Sequence, residues 1–96
     1  MENSFGQVKD TIPLYKDSMS GDLGEIVVYE SGLLINIGTK LAIPFSYVAD
    51  ISERKKLPLG KVLATMDVFD MLGNRNSYEF VINELNLQTL RRVCKK

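Results

Sequence analysis

Residues 25–37 read EIVVYESGLLINI, and this stretch decides the fold class. The runs Ile26–Tyr29 and Leu33–Ile37 are rich in β-branched and aromatic side chains, as β-strands are. A short turn containing Gly32 lies between them, so the two runs are predicted to pair as an antiparallel hairpin. Alternation in the second run gives the hairpin one apolar face to bury.

Period-two patterning continues on both sides of this hairpin. Downstream, it predicts strands over 40–45, 47–53, 61–69 and 77–82, with turns at 38–39 and 73–76. Upstream, 7–15 is predicted as a first strand that Pro13 restricts to an edge position. The segments 16–24 and 54–60 are predicted as loops, the second of them basic.

After Asn83 the spacing of the apolar residues changes to that of a helix. Leu87, Leu90 and either Val93 or Cys94 recur at three- and four-residue spacing, which predicts a helix over 84–95 with Asn83 as its N-cap. We therefore expect one mainly β (α+β) domain spanning 1–96. Its six or seven strands form a curled antiparallel sheet or partly open barrel, and the C-terminal helix caps it. An SH3-like barrel with an added helix is the rival architecture.

The hairpin, the segment LAIPFSYVADI over 41–51, and the Tyr78-Glu79-Phe80 strand before a helix resemble the pleckstrin-homology (PH) superfold and its GRAM-like relatives. Within that superfold the chain also resembles the N-terminal domain of archaeal taxis adaptors of the CheF type, which connect chemotaxis signalling proteins to the archaellum motor. The resemblance implies a binding module. Many PH domains bind phosphoinositides with basic residues in the first hairpin loop, whereas Glu30-Ser31-Gly32 contains none.

Composition argues against an enzyme. The 96 residues include no histidine and one cysteine, Cys94, so Cys–His and Ser–His nucleophile pairs and Cys/His zinc sites cannot form. We expect no catalytic residue, cofactor or metal. The longest apolar runs are far shorter than the roughly 20 residues of a membrane-spanning helix. No signal-peptide pattern is read at the N-terminus, so a cytoplasmic location is expected.

Charge is unevenly distributed although it sums to zero. Residues 1–53 hold three basic and eight acidic side chains, and residues 54–96 hold nine basic and four acidic ones. Without a basic excess, nucleic acid is not an expected partner. The cluster Arg54, Lys55, Lys56 and Lys61 is a candidate site for an anion or an anionic lipid surface. The alternative is a solvated loop without a ligand.

An outward apolar patch is the other candidate site. If the opposite positions of the hairpin face the core, then Val27, Tyr29 and Leu34 face outward and are available to a partner. The alternative is that segment 8–15 covers them. The sequence thus favours a non-catalytic adaptor that binds another protein or a second copy of this chain. The alternative function is a module that binds anionic membranes through 54–61.

Overall fold

The computed structural model describes residues 5–16 and 22–95. These residues form seven β-strands, one short 3-10 helix and one α-helix. The strands are β1 (Val8–Tyr15), β2 (Asp22–Tyr29), β3 (Gly32–Asn36), β4 (Lys40–Pro44), β5 (Val48–Lys56), β6 (Lys61–Phe69) and β7 (Arg75–Asn83). The 3-10 helix covers Phe45–Tyr47, and α1 covers Glu84–Cys94. The predicted mainly β fold with a C-terminal helix is confirmed.

All seven described strands belong to one antiparallel sheet with the order β4-β3-β2-β1-β7-β6-β5. The two outermost strands, β4 and β5, do not pair with each other, so the sheet is curled but not closed. Strand β1 joins its two halves. It pairs with β2 along most of its length, but its ladder pairing with β7 is limited to Tyr15 opposite Val81.

The predicted edge position of β1 is wrong, because β1 lies between β2 and β7. Pro13 lies opposite Glu25 of β2. The missing N–H of a proline is tolerated where a strand needs no donor. Since β7 pairs with β1 only at Tyr15, Pro13 has no ladder bond to supply on that side.

Two predicted loops are shorter than expected. Residues 22–24 of the predicted loop 16–24 belong to β2, and 17–21 lie outside the described residues. The predicted loop 54–60 is also wrong in part, because Arg54–Lys56 end β5 and only 57–60 form the turn. Strand pairing with β6 extends β5 through its charged end, since Lys55 and Lys56 lie opposite Leu63 and Val62.

The core lies on the concave face of the sheet, under α1. Side chains from every strand and from α1 contribute to it. The core residues are Ile12, Leu14, Ile26, Val28, Leu33, Ile35, Ile43, Val48, Ile51, Val62, Ala64, Met66, Val68, Phe80, Ile82, Leu87, Leu90 and Cys94. The predicted burial of Leu87, Leu90 and Cys94 is confirmed.

The ends of α1 follow from local chemistry. The Asn83 side chain accepts a hydrogen bond from the Leu85 N–H at 2.9 Å, so the predicted N-cap is confirmed. At the other end, Lys95 has a φ of 58°, and its N–H bonds the carbonyls of Arg91 and Arg92. Among the described residues, no helix is long and apolar enough to cross a membrane.

Candidate interaction surfaces

The predicted apolar patch is not an open surface. Val27 is only 9% exposed, and Tyr29 and Leu34 are half-buried. Their predicted orientation away from the core agrees with the structure for Val27, which is buried yet lies outside the core cluster. The predicted exposure of the patch is wrong.

Neighbouring strands and an N-terminal residue explain this burial. Thr11 of β1 and Leu34 flank Val27 in the sheet, and Ala42 of β4 flanks Leu34 on its other side. The Phe5 ring lies over Gly32, where an added Cβ would stand 2.6 Å from the ring. Segment 8–15 therefore supplies part of the cover.

Hydrogen bonds from Ser31 to the backbone of Phe5 hold this residue in place. Its carbonyl oxygen accepts the Ser31 N–H at 3.1 Å and lies 3.3 Å from the Ser31 hydroxyl, which donates to it. The Gln7 N–H also donates to the Glu30 carboxylate at 2.9 Å. The N-terminal segment is thus fastened to the turn between β2 and β3, beside the predicted patch.

The predicted basic residues do not form one cluster. Paired residues on neighbouring strands share a face. Lys56 lies opposite the core residue Val62, whereas Lys55 lies opposite Leu63 and is on the outer face. Arg54 lies at a bulge, where the register shifts between Glu53 and Lys55.

Two of the four basic residues, Lys56 and Lys61, have partners within the chain. Lys56 bridges Glu84 at 3.3 Å and Glu53 at 3.4 Å, and these contacts, with the Glu84 hydrogen bond first, raise the pKa of Lys56. The Lys61 ammonium lies 4.8 Å from the centre of the Tyr15 ring. In the part of the chain that the structure describes, Arg54 and Lys55 take part in no ion pair.

The turn between β6 and β7 exposes two apolar side chains. We call it the Met71–Leu72 tip, residues 70–74. Met71 is 87% exposed and Leu72 is 86% exposed. The tip is ordered by Asp70, whose carboxylate accepts the N–H groups of Leu72 and Asn74 at 2.9 Å each. Those hydrogen bonds, the one from Asn74 first, lower the pKa of Asp70.

Sequence reasoning placed a turn here but missed its exposed apolar pair. The signal was Asp70 followed by two apolar residues and then Gly73-Asn74. The aspartate side chain caps a turn that apolar residues would otherwise avoid. At the base of the tip, Asp67 accepts hydrogen bonds from the Ser77 hydroxyl and the Arg75 guanidinium, each at 2.7 Å. Both lower the pKa of Asp67, with the Ser77 bond the larger cause.

The turn between β5 and β6 exposes a further leucine. We call it the Leu59 tip, residues 57–60. The Lys61 N–H bonds the Pro58 carbonyl at 3.3 Å, and the two residues between them have positive φ, 64° at Leu59 and 73° at Gly60. This is the geometry of a type I′ turn. Leu59 is 67% exposed, and Leu85 in the first turn of α1 is 72% exposed.

A polar groove of about 420 Å³ lies between β2 and the end of β3, lined by Asp22, Leu23, Gly24, Glu25, Asn36 and Gly38. Its lining carries carboxylate and amide side chains but no hydroxyl, thiol, amine or imidazole group. Within residues 5–16 and 22–95, no three His, Cys, Asp or Glu side chains are grouped to hold a metal ion.

Comparisons of the chain with protein-family models, with curated proteins and with solved structures give no match. The function is therefore inferred from the two exposed tips and their charges.

Proposed function

We propose that this chain is a non-catalytic protein-binding module with a PH-like fold, acting as a cytoplasmic adaptor in archaeal or bacterial signalling of the taxis type. The strand order and the single C-terminal helix against the concave face support the PH-like assignment. They leave turns at both ends of β6 available for contact. The binding surface is the Met71–Leu72 tip rather than Val27, Tyr29 and Leu34, which their neighbours cover.

The exposed, ordered pair Met71 and Leu72 carries this proposal. Burying each side chain in a partner gains about 1.5–3 kcal/mol from removal of apolar surface. Asp70 fixes the backbone of the tip before binding, so less ordering entropy is lost in the complex. Two adjacent apolar side chains on a fixed turn are an anchor for a pocket.

The charges around the Met71–Leu72 tip indicate the partner. Asp67 and Asp70 are acidic, and Arg75 is the basic residue beside them, held by Asp67 at 2.7 Å. The three groups sum to one negative charge. A protein pocket that is apolar at its centre and polar to basic at its rim matches this arrangement, whereas an anionic membrane does not.

Site-specific crosslinking tests the proposal. A photoreactive residue at position 72 is expected to crosslink one defined protein in cells that express this chain, and the same group at Glu79, which is exposed on β7, is the control. Binding of the purified partner should be lost in the variant Met71→Ser/Leu72→Ser. It should persist in Leu85→Gln, which alters an exposed leucine of α1 at the opposite end of the sheet.

Light scattering completes the test. The Met71→Ser/Leu72→Ser variant should fold as wild type does, because both side chains are exposed and such substitutions change stability by about 0.5 kcal/mol or less. If wild type has twice the mass of the chain and this variant is a monomer, the partner is a second copy. Full binding by the folded variant contradicts the proposal.

A further inference from the structure

Leu59 is held in a conformation and an environment that both disfavour leucine. Its φ of 64° is in the left-handed region, which costs residues with a Cβ roughly 1–2 kcal/mol. Type I′ turns favour Asn followed by Gly, and here Leu59 precedes Gly60. Its side chain is nevertheless mostly in water. Neither the turn nor the core requires a leucine at this position.

A second exposed leucine lies at the same end of the sheet. The Glu84 N–H donates to the Gly60 carbonyl at 2.9 Å, which fastens the start of α1 to the Leu59 tip. Leu85 follows Glu84, just as Leu59 precedes Gly60. The Leu59 tip and the start of α1 are distant in sequence. Each therefore has one exposed leucine next to the hydrogen bond that joins them.

The charges at this end are basic. Arg54, Lys55, Lys56 and Lys61 stand against two carboxylates, Glu53 and Glu84, for a sum of two positive charges. Lys56 bridges both carboxylates, at 3.4 and 3.3 Å. Lys56 and these two carboxylates together carry one negative charge, so the positive charges available to a ligand are those of Arg54, Lys55 and Lys61. Long basic side chains can hold their charges at an interface while their stems lie along apolar surface.

We propose that the Leu59 tip docks on an anionic lipid bilayer. Leu59 and Leu85 enter the boundary between headgroups and acyl chains, and Arg54, Lys55 and Lys61 contact the anionic headgroups. Charge complementarity distinguishes this end from the weakly acidic Met71–Leu72 tip. The two tips lie at opposite ends of β6, about 26 Å apart along the strand, so a membrane and a protein partner can bind at the same time.

Flotation of the full chain with vesicles tests this. Vesicles of phosphatidylcholine with about one third phosphatidylserine should carry the protein at low salt, and vesicles of phosphatidylcholine alone should not. Raising the salt should weaken binding, because screening shortens the reach of each charge. Removing one cation, as in Lys55→Ala, should lower the partition coefficient about fivefold.

Substitutions of Leu59 and Leu85 test the apolar part of the surface. Leu59→Asn suits the turn, so loss of flotation in this variant cannot be due to unfolding; Leu85→Gln should weaken binding in the same direction. Met71→Ser/Leu72→Ser is the matched control and should float as wild type does. The proposal is overturned if wild type fails to float at low salt, if Leu59→Asn floats equally well, or if only the control variant loses binding. Each of these results is independent of whether the Met71–Leu72 tip binds a protein.

Discussion

The backbone N–H of Glu84, the first residue of α1, donates to the carbonyl oxygen of Gly60 at 2.9 Å. The first N–H groups of a helix have no partner within the helix. Here the turn between β5 and β6 supplies an acceptor for one of them. The position of α1 over the core and the conformation of the Leu59 tip therefore depend on each other.

Replacing Leu59 by asparagine should stabilise the protein. Asparagine tolerates the left-handed region, and Asn-Gly is the preferred pair of a type I′ turn. We expect the free energy of unfolding to rise by about 0.5–1 kcal/mol, because part of the cost of that conformation is removed. Urea unfolding followed by far-UV circular dichroism measures this.

Leu59→Ala is the matched control for that variant. It removes the same exposed apolar side chain but keeps a Cβ in the left-handed region, so it should gain little. Equal gains from Asn and Ala would mean that the exposed side chain, and not the backbone conformation, disfavours leucine at this turn.

The helix start gives a second prediction. Asn83→Ala removes the side-chain acceptor of the Leu85 N–H and should lower the free energy of unfolding by about 1 kcal/mol. Asn86→Ala, within α1, is the control and should be neutral or slightly stabilising, because alanine has the higher helix propensity. A similar loss in both variants would show that capping is not the cause. Urea unfolding again provides the measurement.

The elements of this fold could be predicted because each carries a local signal. Alternation defined β3 and β6, and a change of period located α1 to within one residue at each end. The order of the strands across the sheet could not be predicted. The single ladder pair of β1 and β7, Tyr15 with Val81, places β1 inside the sheet. No local pattern predicts this pair, and Pro13 indicated an edge instead.

The sites were harder to predict than the elements. Alternation correctly turned Val27 away from the core, but its exposure depends on Thr11, Leu34 and the neighbouring strands, which only the folded sheet brings together. The sequence predicts a loop over the basic residues 54–56 because charge outweighs β propensity in such a segment. Pairing with β6 made them a strand and placed Lys55 and Lys56 on opposite faces.

Close approach of two strands gives a third prediction. A Cβ on Gly24 would overlap the carbonyl oxygen of Asn36 in β3. Because that neighbour is backbone and cannot rotate away, Gly24→Ala should cost about 1–3 kcal/mol. Gly38→Ala is the control: Gly38 has a φ of 101°, but a Cβ there meets no atom within 4 Å, so only the conformational cost applies.

Hydrogen exchange separates these two glycine variants. Gly24→Ala should lower the protection of amides along the β2–β3 pairing, while Gly38→Ala should leave that pairing as in wild type. If both variants lose the same stability and the same protection, steric overlap with Asn36 is not the reason for glycine at position 24.

The order of the Met71–Leu72 tip should depend on pH through Asp70. Hydrogen bonds from the Asn74 and Leu72 N–H groups lower the pKa of Asp70 below its usual 3.8 in the folded protein. A carboxylate with a lowered folded pKa contributes stability above its unfolded pKa, and that contribution is lost as the pH falls through the folded value. Asp70→Ala should therefore be less stable than wild type near neutral pH. The difference should shrink as the pH falls below about 4.

Asp70→Asn is the matched control, because it keeps an oxygen acceptor for the same two N–H groups but does not titrate. Its stability relative to Asp70→Ala should stay constant across the same pH range, while the advantage of wild type over each variant shrinks at acidic pH. Urea unfolding at neutral pH and at about pH 3 measures the three differences, and amide exchange at Leu72 and Asn74 reports the tip itself. A wild-type advantage over Asp70→Ala that is undiminished at the acidic pH would contradict this account. If Asp70→Ala already matched wild type at neutral pH, the order of the tip would instead rest on the backbone bond from the Gly73 N–H to the Asp70 carbonyl, at 3.0 Å, which both proteins keep.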